Sequence, residues 1–430
     1  MTDVKQPIEL LVAGAGEVAT PLGTRPLGGA GLGQVDRRPG AAVAVDAGRV
    51  VAVGDAEALG NRFAPARTLD AGGGLVLPGF VDAHTHPVFA DTREREFELR
   101  VAGASYLEIT AAGGGIGSSV RGVREASEEQ LTLLLARRLD RMLAHGTTTV
   151  EAKSGYGLET EAELKSLRAI RAAAALHPVD VVATFLGAHD YPAEYKQRQA
   201  EYVDLVVDEM LPRVADERLA EYADVFTESH TFGLDATRRI GERARDLGMG
   251  LRLHVDQLTP LGGAVLAAEL GVASADHLEQ VTRAGIDALA ENAVQPTLCP
   301  LVPLFIRDAH EAPGRALVEA GCAPALATDF NPGSCYVLSM PEVCSWAALR
   351  YGFTAAECLT AATLNAACTL GRGHDRGSLE PGKRADLVVL DVPNLEHLTY
   401  DLGRNPVAAV VVEGEPVWER PPLPRFGGGQ

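Results

Sequence analysis

Short apolar runs alternate with amphipathic helical stretches through the middle of the chain, and this rhythm limits the possible folds more than any other feature. Candidate strands lie at Leu75–Asp82, Thr147–Ala152, Val181–Ala188, Gly250–Val255, Ala273–Asp276, Ala293–Pro296 and Ala325–Asp329. Ser127–His145 and Glu161–His177 carry helical periodicity, with acidic residues in the first turn and arginines later, as the helix dipole favours. Repeated strand–helix units of this length imply a parallel sheet covered by helices, and a (β/α)8 TIM barrel closes such a sheet most economically. A doubly wound open sheet is the alternative. GAGEVA (Gly14–Ala19) loosely fits a dinucleotide turn, but a Pro/Gly-rich stretch follows it where a helix is required.

The ends read differently. β-Like runs open the chain at Ile8–Val12, Ala42–Val45 and Arg49–Val53, and return at Ala385–Leu390, Val407–Val412 and Glu415–Trp418. Two β-rich ends around an α/β middle predict one small β-sandwich domain built from both. On this reading residues 1–76 and 371–430 form the small domain and 77–370 the barrel. Pro21–Gly40 reads as a long exposed loop, and the final PPLPRFGGGQ as a tail.

Apolar residues make up 46% of the chain but aromatics only 5%, so the core must be built from Ala, Val and Leu. The net charge of -19, with no Lys/Arg block, argues against a nucleic-acid partner. All six cysteines fall between Cys299 and Cys368 without a CxxC, which reads as reduced thiols. Neither a secretory leader nor a membrane-spanning apolar run is evident, so the expectation is a cytoplasmic protein with no membrane partner.

The chemistry collects where strands end. In VLPGFVDAHTHPVF, His84 and His86 follow an apolar strand, and residues two apart in an extended segment point the same way, so both imidazoles can meet one cation. His254 in GLRLHVDQ, His277 in VASADHLEQ and Asp329 in PALATDFNPGS also stand at strand ends. A barrel opens all those ends onto one face, so residues distant in sequence converge. Taken singly each is an ordinary loop residue satisfying backbone; together they form a nitrogen/oxygen set suited to zinc, iron or manganese.

PGFVDAHTH resembles the signature of the amidohydrolase superfamily, with His254, His277 and Asp329 following in the pattern that superfamily supplies. Further stretches are similar to the imidazolonepropionase family within it: DTREREFELR, SYLEITAAGGGI, GTTTVEAKSGYGL, TFLGAHDYPAEY, HVDQLTPLGGA, SADHLE and LATDFNPGS. They run from residue 91 to about 334, with weaker similarity in TLNAA and LEPGKRADLVV.

The resemblance implies one divalent metal ion per chain, zinc or iron, held by His84, His86, His254 and Asp329. It implies metal-activated water attacking the cyclic amide of 4-imidazolone-5-propanoate, a small-molecule substrate, to give N-formimidoyl-L-glutamate in histidine degradation. His277 would stabilise the oxyanion, and Asp329 would pass a proton to the departing ring nitrogen. Arg93 and Tyr156 would hold the propionate arm, and His189 the ring carbonyl region. Asn331, Gly333 and Ser334 would contact substrate or product. Without the resemblance, Arg93 reads as a solvated arginine among Glu94, Arg95 and Glu96. Gln257 stands where the family pattern has Glu or Gln; an amide binds but cannot act as a base. Barrels of the family often pair, which makes a homodimer an expectation.

Lys153 follows a strand and in dinuclear relatives would be a carbamylated bridge; pairing with a nearby carboxylate is the simpler reading. Tyr106 either joins the site or packs. The Gly113–Gly115 run with Ser118 and Ser119 reads as an active-site loop, and His230, His310, His374 and His397 as filler. Competing functions are a nucleobase-type deaminase, a dinuclear cyclic amidase and a non-enzymatic scaffold.

Overall fold

A computed structural model describes residues 5–103 and 114–421. Tyr106 and most of SYLEITAAGGGI therefore lie outside the described residues.

Three sheets occur among the described residues. The amino-terminal strands are β1 Gln6–Ala13, β2 Glu17–Pro21, β3 Val35–Pro39, β4 Ala41–Asp46, β5 Arg49–Asp55, β6 Phe63–Asp70 and β7 Leu75–Pro78. The carboxyl-terminal ones are β16 Leu387–Leu390, β17 Val407–Val412 and β18 Glu415–Glu419. Between them run β8 Phe80–Asp82, β9 Thr147–Lys153, β10 Asp180–Ala188, β11 Tyr222–Thr227, β12 Gly250–Val255, β13 Ser274–His277, β14 Gln295–Leu298 and β15 Ala325–Leu326.

The last eight form one sheet in sequence order, every pair parallel. Its first and last members meet as well. Thr85 bridges Phe330, and the Asp329 N–H donates to the His84 carbonyl at 3.0 Å. The Asp82 carboxylate accepts from the Thr328 N–H (3.0 Å) and hydroxyl (2.6 Å). This seam closes the (β/α)8 barrel. Helices such as Glu128–Leu143 and Thr160–Leu176 cover it, the first opened by a Ser127–Gln130 capping box.

The other two sheets are a four-stranded β5-β4-β1-β6 and a six-stranded β18-β17-β16-β7-β2-β3 that joins both chain ends. Leu10, Val12, Val43 and Val45 of the first share a core with Val76, Leu387, Val389 and Val411 of the second, so the two pack face to face as a sandwich.

Four differences from the sequence reading have physical causes. Leu75–Asp82 is two strands, because Leu75–Pro78 pairs with β16 and β2 while Phe80–Asp82 pairs with β9. The break falls at Gly79, where a Cβ would stand 2.3 Å from the Thr148 hydroxyl. Pro21–Gly40 is not one exposed loop: Val35–Pro39 pairs antiparallel with β2, and Leu32 is fully buried. The barrel strand Tyr222–Thr227 is an addition to the seven read from sequence. Ser118 and Ser119 lie in a helix, Ile116–Glu125, rather than a loop. The six cysteines are all free, as expected of reduced thiols.

Candidate active site

Four of the eight barrel strands deliver polar residues to the same mouth. His84 and His86 follow β8, His254 sits on β12, His277 ends β13, and Asp329 follows β15. His277 (φ 80°) and Asp329 (φ 49°) are non-glycine residues held in left-handed backbone, a cost that packed surroundings must impose.

The His86 Nε2 atom lies 3.2 Å from both His84 Nε2 and His254 Nε2. The far nitrogens of the outer two rings face carboxylates: His84 Nδ1 is 2.6 Å from Asp276, and His254 Nδ1 is 3.0 Å from Asp224. Those hydrogen bonds place the protons on Nδ1 and leave bare Nε2 lone pairs converging on one point. Asp329 Oδ1 joins them, 3.3 Å from His86 Nε2 and 3.6 Å from His84 Nε2, with no hydrogen-bond partner of its own among the described residues. Three imidazole nitrogens and a carboxylate oxygen at this spacing suit one shared cation. Four ligands about 2.0–2.1 Å from a tetrahedral ion stand about 3.3 Å apart, which matches the observed spacing. The residues present therefore fit a metal ion.

Electrostatics separates the imidazoles. Burial lowers His254 to about 4, outweighing Asp224, and holds His84 well below its ordinary value. His277 goes the other way, to about 9: burial opposes its charge, but Glu279, whose Oε1 is 3.6 Å from Nδ1, Asp329 and Asp276 outweigh it. His277 also comes close enough to His84 and His254 to form a second potential ligand group.

Below these rings lies a wholly buried ionic layer. Lys153 Nζ contacts Glu151 (2.7 Å) and Asp224 (2.9 Å), and Arg252 reaches Asp276 (3.3 Å). Glu151 also accepts the Thr85 N–H at 3.1 Å, fixing the peptide between the two histidines. Lys153 is thus paired as the simpler reading expects, and its ammonium is engaged away from the cavity.

Above the rings opens a cavity of about 480 Å³. Its wall includes Arg93, Tyr156, His189, Gln257, Asn331, Gly333 and Ser334 besides His86, His254, His277 and Asp329. His84 lies beneath, fully buried. His189 stacks on His86 (centroids 5.1 Å apart), and its Nδ1 donates to the Gly155 carbonyl at 2.9 Å. Buried Glu163 accepts the N–H groups of Gly155, Gly157 and Leu158, holding the loop that presents Tyr156. Asn331 Oδ1 accepts from the Gly333 and Ser334 N–H groups, an Asx turn that sets the segment after Asp329. A Cβ at Gly333 would stand 2.2 Å from Arg93 Nη1, so a side chain there would displace the guanidinium.

Several cavity residues escaped the sequence reading. His230 faces the cavity rather than serving as filler, and Glu96, Arg100 and Lys196 line it too. Asp224 and Asp276, which orient two imidazoles, were also missed. Their signal was faint: a lone acidic residue inside an apolar strand, where a charge must have a partner.

Known proteins resemble this one throughout. Residues 75–417 match the model of the Amidohydrolase family. The imidazolonepropionase of Symbiobacterium thermophilum is 47% identical over 413 residues, covering 95% of this chain and 97% of the relative. That of Solibacter usitatus is 48% identical over 383 residues, 89% of this chain and 92% of the relative. Among solved structures, a zinc-bound adenosine deaminase from Xanthomonas campestris superposes with a TM-score of 0.70 at 25% identity, covering 96% of this chain and 93% of that one. The deaminase shares the barrel, but near-half identity end to end is found with the imidazolonepropionases. By fold, by the imidazoles and carboxylate gathered at the barrel mouth and by sequence over nearly its whole length, the chain belongs to the imidazolonepropionase family of the amidohydrolases.

Proposed function

We propose that the chain hydrolyses the ring amide of 4-imidazolone-5-propanoate, adding one water across the C–N bond to give N-formimidoyl-L-glutamate in cytoplasmic histidine degradation. The observation that carries this reading is the meeting of Nε2 lone pairs and a carboxylate oxygen beside a cavity walled by Arg93, in a chain nearly half identical to imidazolonepropionases. Among the described residues no helix is long and apolar enough to cross a membrane.

His84, His86, His254 and Asp329 would hold the ion, and three nitrogens with one oxygen suit zinc or iron. Such an ion, when bound, polarises a carbonyl and acidifies water. The residues around it do the rest. Asp329 takes a proton from the attacking water and hands it to the departing ring nitrogen. His277, with Glu279 Oε1 3.6 Å from its Nδ1, donates a hydrogen bond to the carbonyl oxygen as that oxygen gains charge. Arg93 offers a guanidinium and Tyr156 a hydroxyl to the propionate. His189 has its Nδ1 proton on Gly155, so its Nε2 is an acceptor; that suits a ring N–H better than the carbonyl. Gln257 hydrogen-bonds the ring without taking a proton. The dinuclear cyclic-amidase reading needs Lys153 as a bridge, and the Lys153 ion pairs speak against it.

The test is loss of imidazolonepropionate absorbance with purified, metal-assayed protein. Turnover that needs one metal per chain supports the proposal. Full metal loading without turnover, together with deamination of a nucleobase, would overturn it. Arg93→Ala should raise KM strongly and leave bound metal intact; unchanged kinetics would remove Arg93 from the site.

A further inference from the structure

We propose that Arg100, rather than Arg93 alone, supplies the unbalanced positive charge by which this pocket selects a carboxylate-bearing substrate. The inference rests on the functional reading above and adds a specificity residue to it.

Arg93 stands just before the helix Glu94–Val101, and Glu96 and Arg100 follow three and seven positions later. At 3.6 residues per turn these three share one face, and all three line the cavity. Glu96 Oε2 accepts from Arg93 Nε (2.9 Å) and Nη2 (2.6 Å), while Oε1 accepts from the Ser118 hydroxyl (3.2 Å). The charge of Arg93 is thus met within the protein. Lys196, the cavity's lysine, is met by Asp190 at 3.1 Å.

Arg100 is left over. Its one described acceptor is neutral, the Gly333 carbonyl at 3.2 Å from Nη1, and no described carboxylate pairs with it. A guanidinium has five donors, so most of its capacity is unspent. Both arginines crowd Gly333, Arg93 from its Cα side and Arg100 from its carbonyl, and burial together with the Arg93 charge lowers the Arg100 pKa. Two guanidiniums and one carboxylate leave the helix face one positive charge in excess. A propionate neutralises that excess; an uncharged arm does not.

The experiment compares imidazolonepropionate with its propionamide analogue, an uncharged arm on the same ring. We expect the wild type to favour the acid in kcat/KM. Arg100→Met should cut that acid-over-amide preference about ten- to hundredfold, the scale of one hydrogen bond to a charged group, chiefly through KM for the acid. Arg100→Lys should keep most of the preference. Rising sodium chloride should erode it in the wild type, a readout independent of any variant's folding. A preference unchanged in Arg100→Met, or lost equally in Arg100→Lys, overturns the proposal. If the wild type hydrolyses neither compound, the functional reading itself falls and this inference with it.

Discussion

Lys153 Nζ stands 2.9 Å from Asp224, both side chains wholly buried, and Asp224 in turn meets His254 Nδ1 at 3.0 Å. One ammonium on β9 thereby sets the ring orientation of a candidate metal ligand on β12, through a carboxylate on β11. The same ammonium holds Glu151, which pins the peptide between His84 and His86. Lys153→Met would take from buried Glu151 and Asp224 the ammonium that contacts both. Breaking a buried pair from one side costs about 3–5 kcal/mol. Denaturant unfolding should show a loss of that size; a loss below about 1 kcal/mol would mean that the layer adds nothing to stability.

Asp276 has the matching role for His84, accepting at 2.6 Å, with Arg252 behind it. Asp276→Asn keeps the shape but weakens the acceptor and frees the ring to change tautomer. Metal affinity should fall about ten- to hundredfold, as is usual when such an outer partner is removed. Competition against a chelator of known affinity measures it. Equal affinity in mutant and wild type would show that Asp276 does not tune the site.

Gly333→Ala places a methyl where Arg93 Nη1 now lies. The guanidinium must move, and displacement of about 1 Å at a positioning group can cost up to about a hundredfold in rate. We expect kcat/KM to drop at least tenfold, mainly through KM, with the unfolding midpoint little changed. A variant with wild-type kinetics would separate Arg93 from the substrate.

Metal removal should act on stability as well as turnover. An ion held by His84, His86, His254 and Asp329 would tie together segments that follow or belong to three barrel strands, β8, β12 and β15. Ligand present at a hundred to a thousand times its dissociation constant stabilises a fold by about 3–4 kcal/mol. Dialysis against a chelator should abolish hydrolysis and lower the unfolding midpoint, and zinc or iron(II) added separately should restore both to different extents. Full activity after verified removal would exclude the metal reading.

Much of this was legible from the chain. His84, His86, His254, His277 and Asp329 stand out because each closes an apolar strand, and a barrel turns every such strand end toward one mouth. Less visible were residues whose partners are distant in sequence. YADVFT (Tyr222–Thr227) hides as a strand because Asp224 interrupts its apolar run, and only the fold supplies Lys153 and His254 to receive it. VDRRP (Val35–Pro39) reads as loop because it is a polar edge strand. Arg93, Glu96 and Arg100 are spaced like any solvated helix face, and only the fold shows that this face borders the cavity.

Strand β7 pairs with β16, so Leu75–Pro78, which leads straight into the first barrel strand, leans on residues more than three hundred positions later. Without β16, Leu75–Pro78 would keep only β2 as a sheet neighbour, so damage far along the chain would loosen the footing of the segment that leads to His84 and His86.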